Sequence, residues 1–160
     1  MPNTESNTIS ADEKRTPPPL SLLTDLIVEY PFQPATAFWR WFEIDAINQH
    51  GLPDGYGLDL GCGDGRLTRL VFRSFPGRKL MGIEPDAEEL ALAQGESLYA
   101  QLECAGGDHI PAADNTFDFV FSNSVLEHIP AYQAVLAEAC RVLKPGGTFV
   151  ATVPCSDLPR

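Results

Sequence analysis

An apolar run leading into three alternating glycines constrains the fold more than any other feature of this sequence. The stretch Leu58–Gly65, which reads LDLGCGDG, predicts a buried strand ending in a tight glycine turn, and a helix follows at once from Arg66. Glycines let the backbone turn sharply and let a ligand lie directly against it, and we expect the first amides of the helix to face that ligand. A strand, a glycine turn and a helix in this order predict the nucleotide-binding half of a doubly wound sheet.

The composition fits a domain with its own core and argues against a nucleic-acid substrate. The 160 residues carry 22 acidic and 11 basic side chains, a formal charge of −11, whereas phosphate binding needs clustered Lys and Arg. No signal peptide or membrane-spanning apolar run is visible, which predicts a cytoplasmic protein without a membrane partner. No C-x-x-C pair occurs, so we expect neither disulfides nor a metal site but buried reduced thiols at Cys62, Cys104, Cys140 and Cys155.

The first third of the chain predicts a tail and a helical cap. Residues 1–19 are polar and end in prolines, which predicts a disordered tail, and residues 20–53 predict an N-terminal helical cap. The cap contains a helix from Leu20 to Tyr30 and a second from about Ala35 to His50. The second helix either caps the core or forms a lid over a substrate pocket, and its aromatic residues are Phe38, Trp39, Trp41 and Phe42.

Residues 54–160 predict an α/β domain with a Rossmann-like doubly wound parallel sheet, because short apolar runs alternate with helical patterns. The five predicted strands are Tyr56–Leu60, Lys79–Ile83, Leu102–Ala105, Phe117–Phe121 and Thr148–Val153, and the three predicted helices are Arg66–Phe75, one that begins at Asp86, and Ala131–Leu143. We expect Asp86 and Glu89 to form a capping box. We expect Leu98 to lie on the inner side of the same helix with Leu90, and Lys144–Gly147 to form a turn.

Residues 57–154 resemble the class I S-adenosylmethionine-dependent methyltransferases, in particular the type-11 branch that acts on small molecules. Four separate stretches carry the resemblance in the family's order: DLGCGDG at 59–65, GIEPD at 82–86, GDHIP at 107–111 and SNSVLEHIP at 122–130. The resemblance implies S-adenosylmethionine as the cofactor and methyl transfer to a small-molecule acceptor. It also implies a cofactor-binding set, which consists of Asp59, Gly61, Cys62, Gly63, Glu84, Pro85, Asp108, His109, Ile110 and Asn123.

The glycine loop also decides against two rival nucleotide sites. By the resemblance, Gly61 and Gly63 approach the methionine part of the cofactor, and Asp59 organises the loop and helps to hold the cofactor's amino group. A dinucleotide site prefers G-x-G-x-x-G, but here Gly65 arrives one position early and Arg66 stands at the third glycine position. The loop also lacks the G-x-x-x-x-G-K-[ST] pattern of an ATP site.

Acidic residues follow the next two strands. Glu84 comes at the end of the second strand, where one carboxylate can accept hydrogen bonds from both hydroxyls of a ribose; NAD enzymes use the same device, so Glu84 supports adenosine in general. By the resemblance, Asp108 accepts from the exocyclic amine of adenine, and His109 or Ile110 flanks the ring. Asp is also common in loops for turn reasons alone.

The fourth stretch supplies the candidate catalytic residue. His128 follows the fourth strand at the carboxyl edge of the sheet, and histidine is the side chain best suited to accept a proton near neutral pH. It either acts as a general base or packs beside the cofactor, while Glu127 either orients it or caps the next helix. Relatives that bind a metal here use Glu-x-x-Glu-His, and because Ser124 replaces the first Glu we predict no metal.

The chain departs from the family after the fifth strand, where a further helix and a closing antiparallel hairpin are expected. Without them the fifth strand is an exposed edge that invites pairing. Either the chain is part of a longer protein, or a partner, a second copy or the Leu20–His50 helices cover this edge. Two alternatives to methyl transfer therefore stay open: a catalytically silent cofactor-binding or interaction module, and a nicotinamide-dependent dehydrogenase.

Overall fold

The computed structural model describes residues 18–153, so most of the predicted tail and Cys155 lie outside the described residues. Both helices predicted within residues 20–53 are confirmed, as α1 (Leu20–Glu29) and α2 (Pro34–His50). The indole nitrogen of the buried Trp41 donates to the carbonyl oxygen of Pro19 at 3.1 Å. The chain divides into two compact units inside α2, directly after Trp41, and the second unit contains the sheet.

The sheet confirms the predicted fold class. Its five strands are β1 (Tyr56–Leu60), β2 (Lys79–Ile83), β3 (Tyr99–Glu103), β4 (Phe117–Asn123) and β5 (Leu143–Thr152). All four pairings are parallel, and the strand order is β3-β2-β1-β4-β5. The chain moves outward from β1 in one direction and then restarts at β4 on its other side. The carboxyl ends of β1 and β4 therefore form the switch point at which such sheets bind ligands.

Three helices connect the strands: α3 (Arg66–Phe72), α4 (Ala87–Ala93) and α5 (Tyr132–Val142). The aromatic side chains of β4 point into the core, where Phe117, Phe119 and Phe121 are fully buried. Their closely spaced apolar run is typical of a central strand of a parallel sheet, which is covered on both faces. On α5, Val135, Ala139 and Val142 are buried at helical spacing.

Several predicted boundaries were wrong by a few residues. β3 begins at Tyr99 and ends at Glu103, whereas Leu102–Ala105 was expected. The shift follows from packing, because Gly82 on β2 has no Cβ and leaves room for the side chains of Tyr99 and Leu102. α3 ends at Phe72 rather than Phe75, and β4 continues to Asn123. α4 ends at Ala93, so Leu98 is not part of that helix.

The predicted turn at Lys144–Gly147 lies inside an irregular β5. Phe117 pairs with Leu143 and Phe119 already pairs with Thr148, so the intervening residues of β5 bulge out of the ladder. The ammonium group of Lys144 binds Asp118 at 2.7 Å, and the other oxygen of Asp118 accepts from the amide of Tyr56 at 2.8 Å. These bonds tie the beginnings of β1, β4 and β5 together.

The N-terminus of α4 is capped as predicted on one side only. The side chain of Asp86 accepts hydrogen bonds from the amides of Glu88 and Glu89 at 2.8 and 3.3 Å. In a capping box the amide of Asp86 would donate to Glu89, but here it donates to Glu84 at 3.0 Å. The capping of α4 is therefore linked to the acid at the end of β2.

Candidate functional site

A cavity of about 550 Å³ opens at the carboxyl ends of β1, β2 and β4. Its size lies within the range of small-molecule sites in proteins. Six of the residues expected at the site line it: Gly61, Glu84, Pro85, Asp108, Asn123 and His128. Asp59, Cys62, Gly63, His109 and Ile110 are not among its lining residues.

Most of the cavity wall is apolar, and sequence reasoning missed this part. Leu60 and Ile83 are the last residues of β1 and β2, and Val125, Ile129 and Val135 come from the segment after β4 and from α5. The end of a predicted strand was the available signal for the first two residues. The other three needed the position of α5 over the sheet, which no local pattern gives.

The glycine loop takes backbone conformations that favour glycine. Gly61 has φ +76° and Gly63 has φ +52°, both in the left-handed region. A Cβ on Gly61 would lie 2.6 Å from a methyl group of Val125, whereas a Cβ on Gly63 would meet no atom within 4 Å. The amides of Gly61 and Cys62 both donate to the carbonyl of Ile83, at 2.9 and 3.0 Å, which anchors the loop to β2.

Asp59 lies behind the loop rather than in the cavity. Its carboxylate is 1% exposed and accepts a 2.6 Å hydrogen bond from the hydroxyl of Tyr99. Burial raises the pKa of Asp59 to about 6, with a smaller contribution from the charge of Glu84, while hydrogen bonds from Tyr99 and Thr68 oppose the rise. Tyr99 is a residue that sequence reasoning missed, since nothing local connects it to a residue 40 positions earlier.

Glu84 joins the loop to the next helix. One oxygen of its carboxylate accepts from the amide of Gly63 at 3.1 Å, and the other accepts from the amide of Asp86 at 3.0 Å. A carboxylate offers about four lone-pair positions, so both oxygens can accept further hydrogen bonds from a ligand in the cavity. The position of Glu84 is thus fixed in advance by two backbone amides.

The third stretch is divided between the cavity and the core. Asp108 is exposed and lines the cavity, while His109 is exposed and does not. Ile110 is 1% exposed and packs in the core, and its amide donates to Glu138 on α5 at 2.9 Å. Arg141 supports the same loop by donating to the carbonyl oxygens of residues 110 and 112 and to two acidic side chains.

Glu138 and Arg141 were missed by sequence reasoning, although they shape the loop that follows β3. Hydrogen bonds from Arg141 and from the amide of Ile110 hold the pKa of Glu138 near 2, well below its usual value of 4.5. Hydrogen bonds to Glu138 and then to Asp114 raise the pKa of Arg141. The two side chains lie three residues apart on one face of α5, which is the only sequence signal for the pair.

The segment after β4 forms the remaining wall. Asn123 is the last residue of β4, and its side-chain amide donates to the hydroxyl of Thr152 on β5. Ser124 is left-handed, with φ +54°, and its hydroxyl donates to Glu43 on α2 at 3.1 Å. His128 ends a short 3₁₀ turn, Leu126–His128, and is exposed at the cavity. Helix α5 has no side-chain cap, so the alternative that Glu127 caps it was wrong.

Comparison with known proteins identifies the family. A family model described as "Methyltransferase domain" matches residues 58–151, which contain every cavity residue named above. The chain belongs to this family. It is a class I methyltransferase domain, and the cofactor of the family is S-adenosylmethionine.

Two curated relatives show how varied the acceptors of similar proteins are. The chain is 34% identical over 115 residues to malonyl-[acyl-carrier protein] O-methyltransferase of Hahella chejuensis. This match covers 71% of this chain and 39% of the relative. It is 32% identical over 147 residues to sterol 24-C-methyltransferase of Schizosaccharomyces pombe, which covers 80% of this chain and 38% of the relative. The chain thus spans about two fifths of the length of these relatives.

A solved structure of similar fold has a different activity in its name. The crystal structure of the [4+2]-cyclase SpnF superposes on this chain with a TM-score of 0.60 and 27% identity, and the match covers 68% of this chain and 42% of that one. The likeness supports the Rossmann-like methyltransferase fold. It also means that the fold alone does not decide the reaction.

The thiols of the methyltransferase domain correct one expectation. Cys62 is buried, and burial, followed by the charges of Asp59 and Glu84, raises the pKa of its thiol, so it stays protonated. Cys104 and Cys140 are free but exposed, although buried thiols were expected; β3 ends before Cys104, and Cys140 lies on the outer side of α5.

Residues 18–153 are the part of the chain that the structure describes. No group of three or more His, Cys, Asp or Glu side chains in this range is arranged to hold a metal ion. No helix in the same range is long and apolar enough to cross a membrane.

Proposed function

We propose that this chain binds S-adenosylmethionine in the cavity and transfers its methyl group to a small-molecule acceptor. The observation that carries the proposal is Glu84, a carboxylate at the end of β2 that two backbone amides hold at the cavity. From this position it can accept hydrogen bonds from both hydroxyls of a ribose. Charged hydrogen bonds of this kind contribute about 1.5–3 kcal/mol each.

The electrostatics of the cavity fit an adenosyl sulfonium better than a dinucleotide. Among the described residues that line it, Glu84 and Asp108 are carboxylates and none is Lys or Arg. A pyrophosphate would also need the free amides at the start of the helix after β1. Here the first of these amides, that of Arg66, donates to Asp64 at 3.0 Å, so the expectation that the first amides face a ligand is wrong for Arg66. These features disfavour the nicotinamide-dependent alternative.

The remaining assignments follow from where each residue lies. Asp108 lines the cavity and accepts from the adenine amine, and Gly61, which also lines it, approaches the methionine part, while Gly63 belongs to the same loop but lies outside the lining. Asp59, Cys62 and Ile110 act from behind the wall, where they fix the loops, because all three are buried. Pro85 and Asn123 form part of the cavity wall. His109 lies outside the lining, so Asp108 rather than His109 is the residue of this loop that contacts the adenine.

The chain's part in the reaction is mainly positioning. The bound cofactor supplies a methyl group on a positively charged sulfur, which an acceptor can take by in-line displacement. Holding an acceptor in line and at contact distance is the larger contribution to such a reaction. His128 reaches the cavity from the 3₁₀ turn and takes the acceptor's proton where the acceptor is a hydroxyl, which adds roughly 10²–10⁴-fold.

A second candidate function is a cofactor-binding module that transfers no methyl group. One observation favours keeping it: a solved structure of similar fold is that of a [4+2]-cyclase. The predicted pairing of the β5 edge with a partner or a second copy belongs with this alternative, and size-exclusion chromatography tests it. The cytoplasmic location stays a prediction.

The test is a thermal-shift titration of the chain with S-adenosylmethionine and S-adenosylhomocysteine. We expect a rise of the melting temperature that grows with ligand concentration, because a ligand that binds only the folded state stabilises it. Glu84→Ala should weaken the shift strongly. Glu88→Ala, which removes an exposed acid outside the cavity, is the matched control.

Two results would count against the proposal. No shift with either ligand at concentrations far above micromolar removes cofactor binding altogether. An unchanged affinity in Glu84→Ala removes the ribose assignment. Binding without methyl transfer to any acceptor in a panel of hydroxyl, carboxyl and carbon nucleophiles favours the silent module.

A further inference from the structure

We propose that Glu43 is a positioning residue. It holds the cavity wall formed by the segment after β4 against the glycine loop, which is the cofactor loop of the proposed function. It lies on α2, outside the four stretches that resemble the family, and it is partly buried. Its carboxylate accepts a hydrogen bond from the hydroxyl of Ser124, 81 positions along the chain. The inference rests on the proposed function, because it concerns the same cavity.

Ser124 is held in a conformation that it would not adopt unaided. Its φ of +54° is unusual for a residue with a Cβ, and such residues persist where the surroundings fix them, often at functional sites. Hydrogen bonds help to fix this one, since its amide donates to the carbonyl of Thr152 at 3.0 Å and its hydroxyl donates to Glu43 at 3.1 Å. Ser124 itself lines the cavity.

The next residue carries the effect to the glycine loop. A Cβ on Gly61 would lie 2.6 and 2.8 Å from the two methyl groups of Val125, so the Val125 side chain packs directly on the loop backbone. The conformation of Ser124 sets where the Val125 side chain points. Glu43, Ser124, Val125 and Gly61 therefore form one chain of contacts from α2 to the cofactor loop.

A carboxylate suits this role because hydrogen bonds to an ionised acceptor are stronger than those between neutral groups. Loss of the Glu43 carboxylate would remove one hydrogen bond from the Ser124 hydroxyl and loosen the left-handed turn. The expected consequence is a cavity of less well defined shape, with weaker ligand binding rather than loss of the fold.

The experiment compares Glu43→Ala, Glu43→Gln and Asp45→Ala by isothermal titration with S-adenosylhomocysteine. Glu43→Ala should weaken binding about five- to tenfold, the equivalent of one lost hydrogen bond. Glu43→Gln keeps a side-chain oxygen as acceptor and should restore most of the affinity. Asp45→Ala removes an acid of the same helix that accepts a hydrogen bond from Gln49 on α2, and it should bind like the wild type.

A double-variant cycle tests whether the effect acts through Ser124. Ser124→Ala should weaken binding by as much as Glu43→Ala, and the combined variant should be no worse than either one. Additive losses would overturn the proposed route. Urea unfolding without ligand separates the purely structural alternative, in which Glu43→Ala lowers the free energy of unfolding and leaves affinity unchanged.

A measurement without ligand keeps this inference separate from the proposed function. In Glu43→Ala the amides of Gly61 and Cys62 should exchange hydrogen faster than in Asp45→Ala, because their anchoring to Ile83 depends on the packing of Val125. If the wild type binds no cofactor, the proposed function fails and exchange alone decides the coupling. Unchanged exchange together with unchanged affinity overturns the inference.

Discussion

Replacing Asp59 by Asn should make the ligand-free protein gain stability relative to the wild type as the pH rises from 5 to 8. The carboxylate is fully buried, and its pKa is raised from 3.8 to about 6, chiefly by burial. At pH 8 it is therefore ionised in surroundings that disfavour the charge. A pKa rise of this size corresponds to about 3 kcal/mol. Asn has nearly the same shape, and its oxygen can accept the hydrogen bond from Tyr99.

The sign of the pH dependence follows from proton binding. Because the pKa of Asp59 is higher in the folded state, the folded protein binds this proton more tightly than the unfolded chain. The stabilisation that comes from binding this proton is complete below about pH 3.8 and is lost as the pH rises through about 6. The advantage of Asp59→Asn over the wild type should therefore grow by about 1.4 kcal/mol between pH 5 and pH 8.

Urea unfolding at pH 5, 6, 7 and 8, followed by circular dichroism, measures this difference. Any constant offset between Asn and protonated Asp cancels, because only the change with pH is compared. Asp54→Asn is the control, because it makes the same exchange at a side chain that is 97% exposed and contacts Arg78 at the surface. A pH-independent difference for Asp59→Asn would refute the argument that the buried carboxylate is ionised at a cost.

The remaining predictions concern the glycine loop and the ion pair of Glu138 and Arg141 on α5. Gly61→Ala should lower the free energy of unfolding by about 1–3 kcal/mol more than Gly77→Ala does. Both positions have positive φ, but of the two only Gly61 would place its Cβ against a neighbour, Val125. Urea unfolding measures both variants, and an equal loss would show that Val125 moves aside freely. Glu138→Gln should remove an acid-sensitive contribution: the lowered pKa of Glu138 stabilises the wild type above pH 4.5, and this is lost as the pH falls towards 2. The measurement is the free energy of unfolding of both proteins between pH 5.5 and pH 3, and a difference that does not change with pH would contradict the prediction.

Local patterns were sufficient to predict the sheet and the residues at its carboxyl edge. Glu84 directly follows β2 and Asn123 ends β4, and parallel strands bring their carboxyl ends to one edge, so the order of elements placed these two side chains together; Asp108, five residues after β3, was placed by the family resemblance. The same reasoning gave α1, α2 and β1 within a residue or two. It failed at β3 and β5, where the position of the strand depends on the neighbour's side chains.

The contacts that shape the cavity were beyond this reasoning because they join residues far apart in the chain. Tyr99 holds Asp59 from 40 positions away, and Glu43 holds Ser124 from 81 positions away. No periodicity marks either pair, since the contact exists only once the sheet and α2 are packed. In the proposal, motif residues such as Glu84 and Asp108 contact the ligand, while Tyr99 and Glu43, which lie outside the motifs, fix the conformation of residues within them. Substitutions at Tyr99 or Glu43 would therefore change the shape of the cavity without changing a residue of the glycine loop.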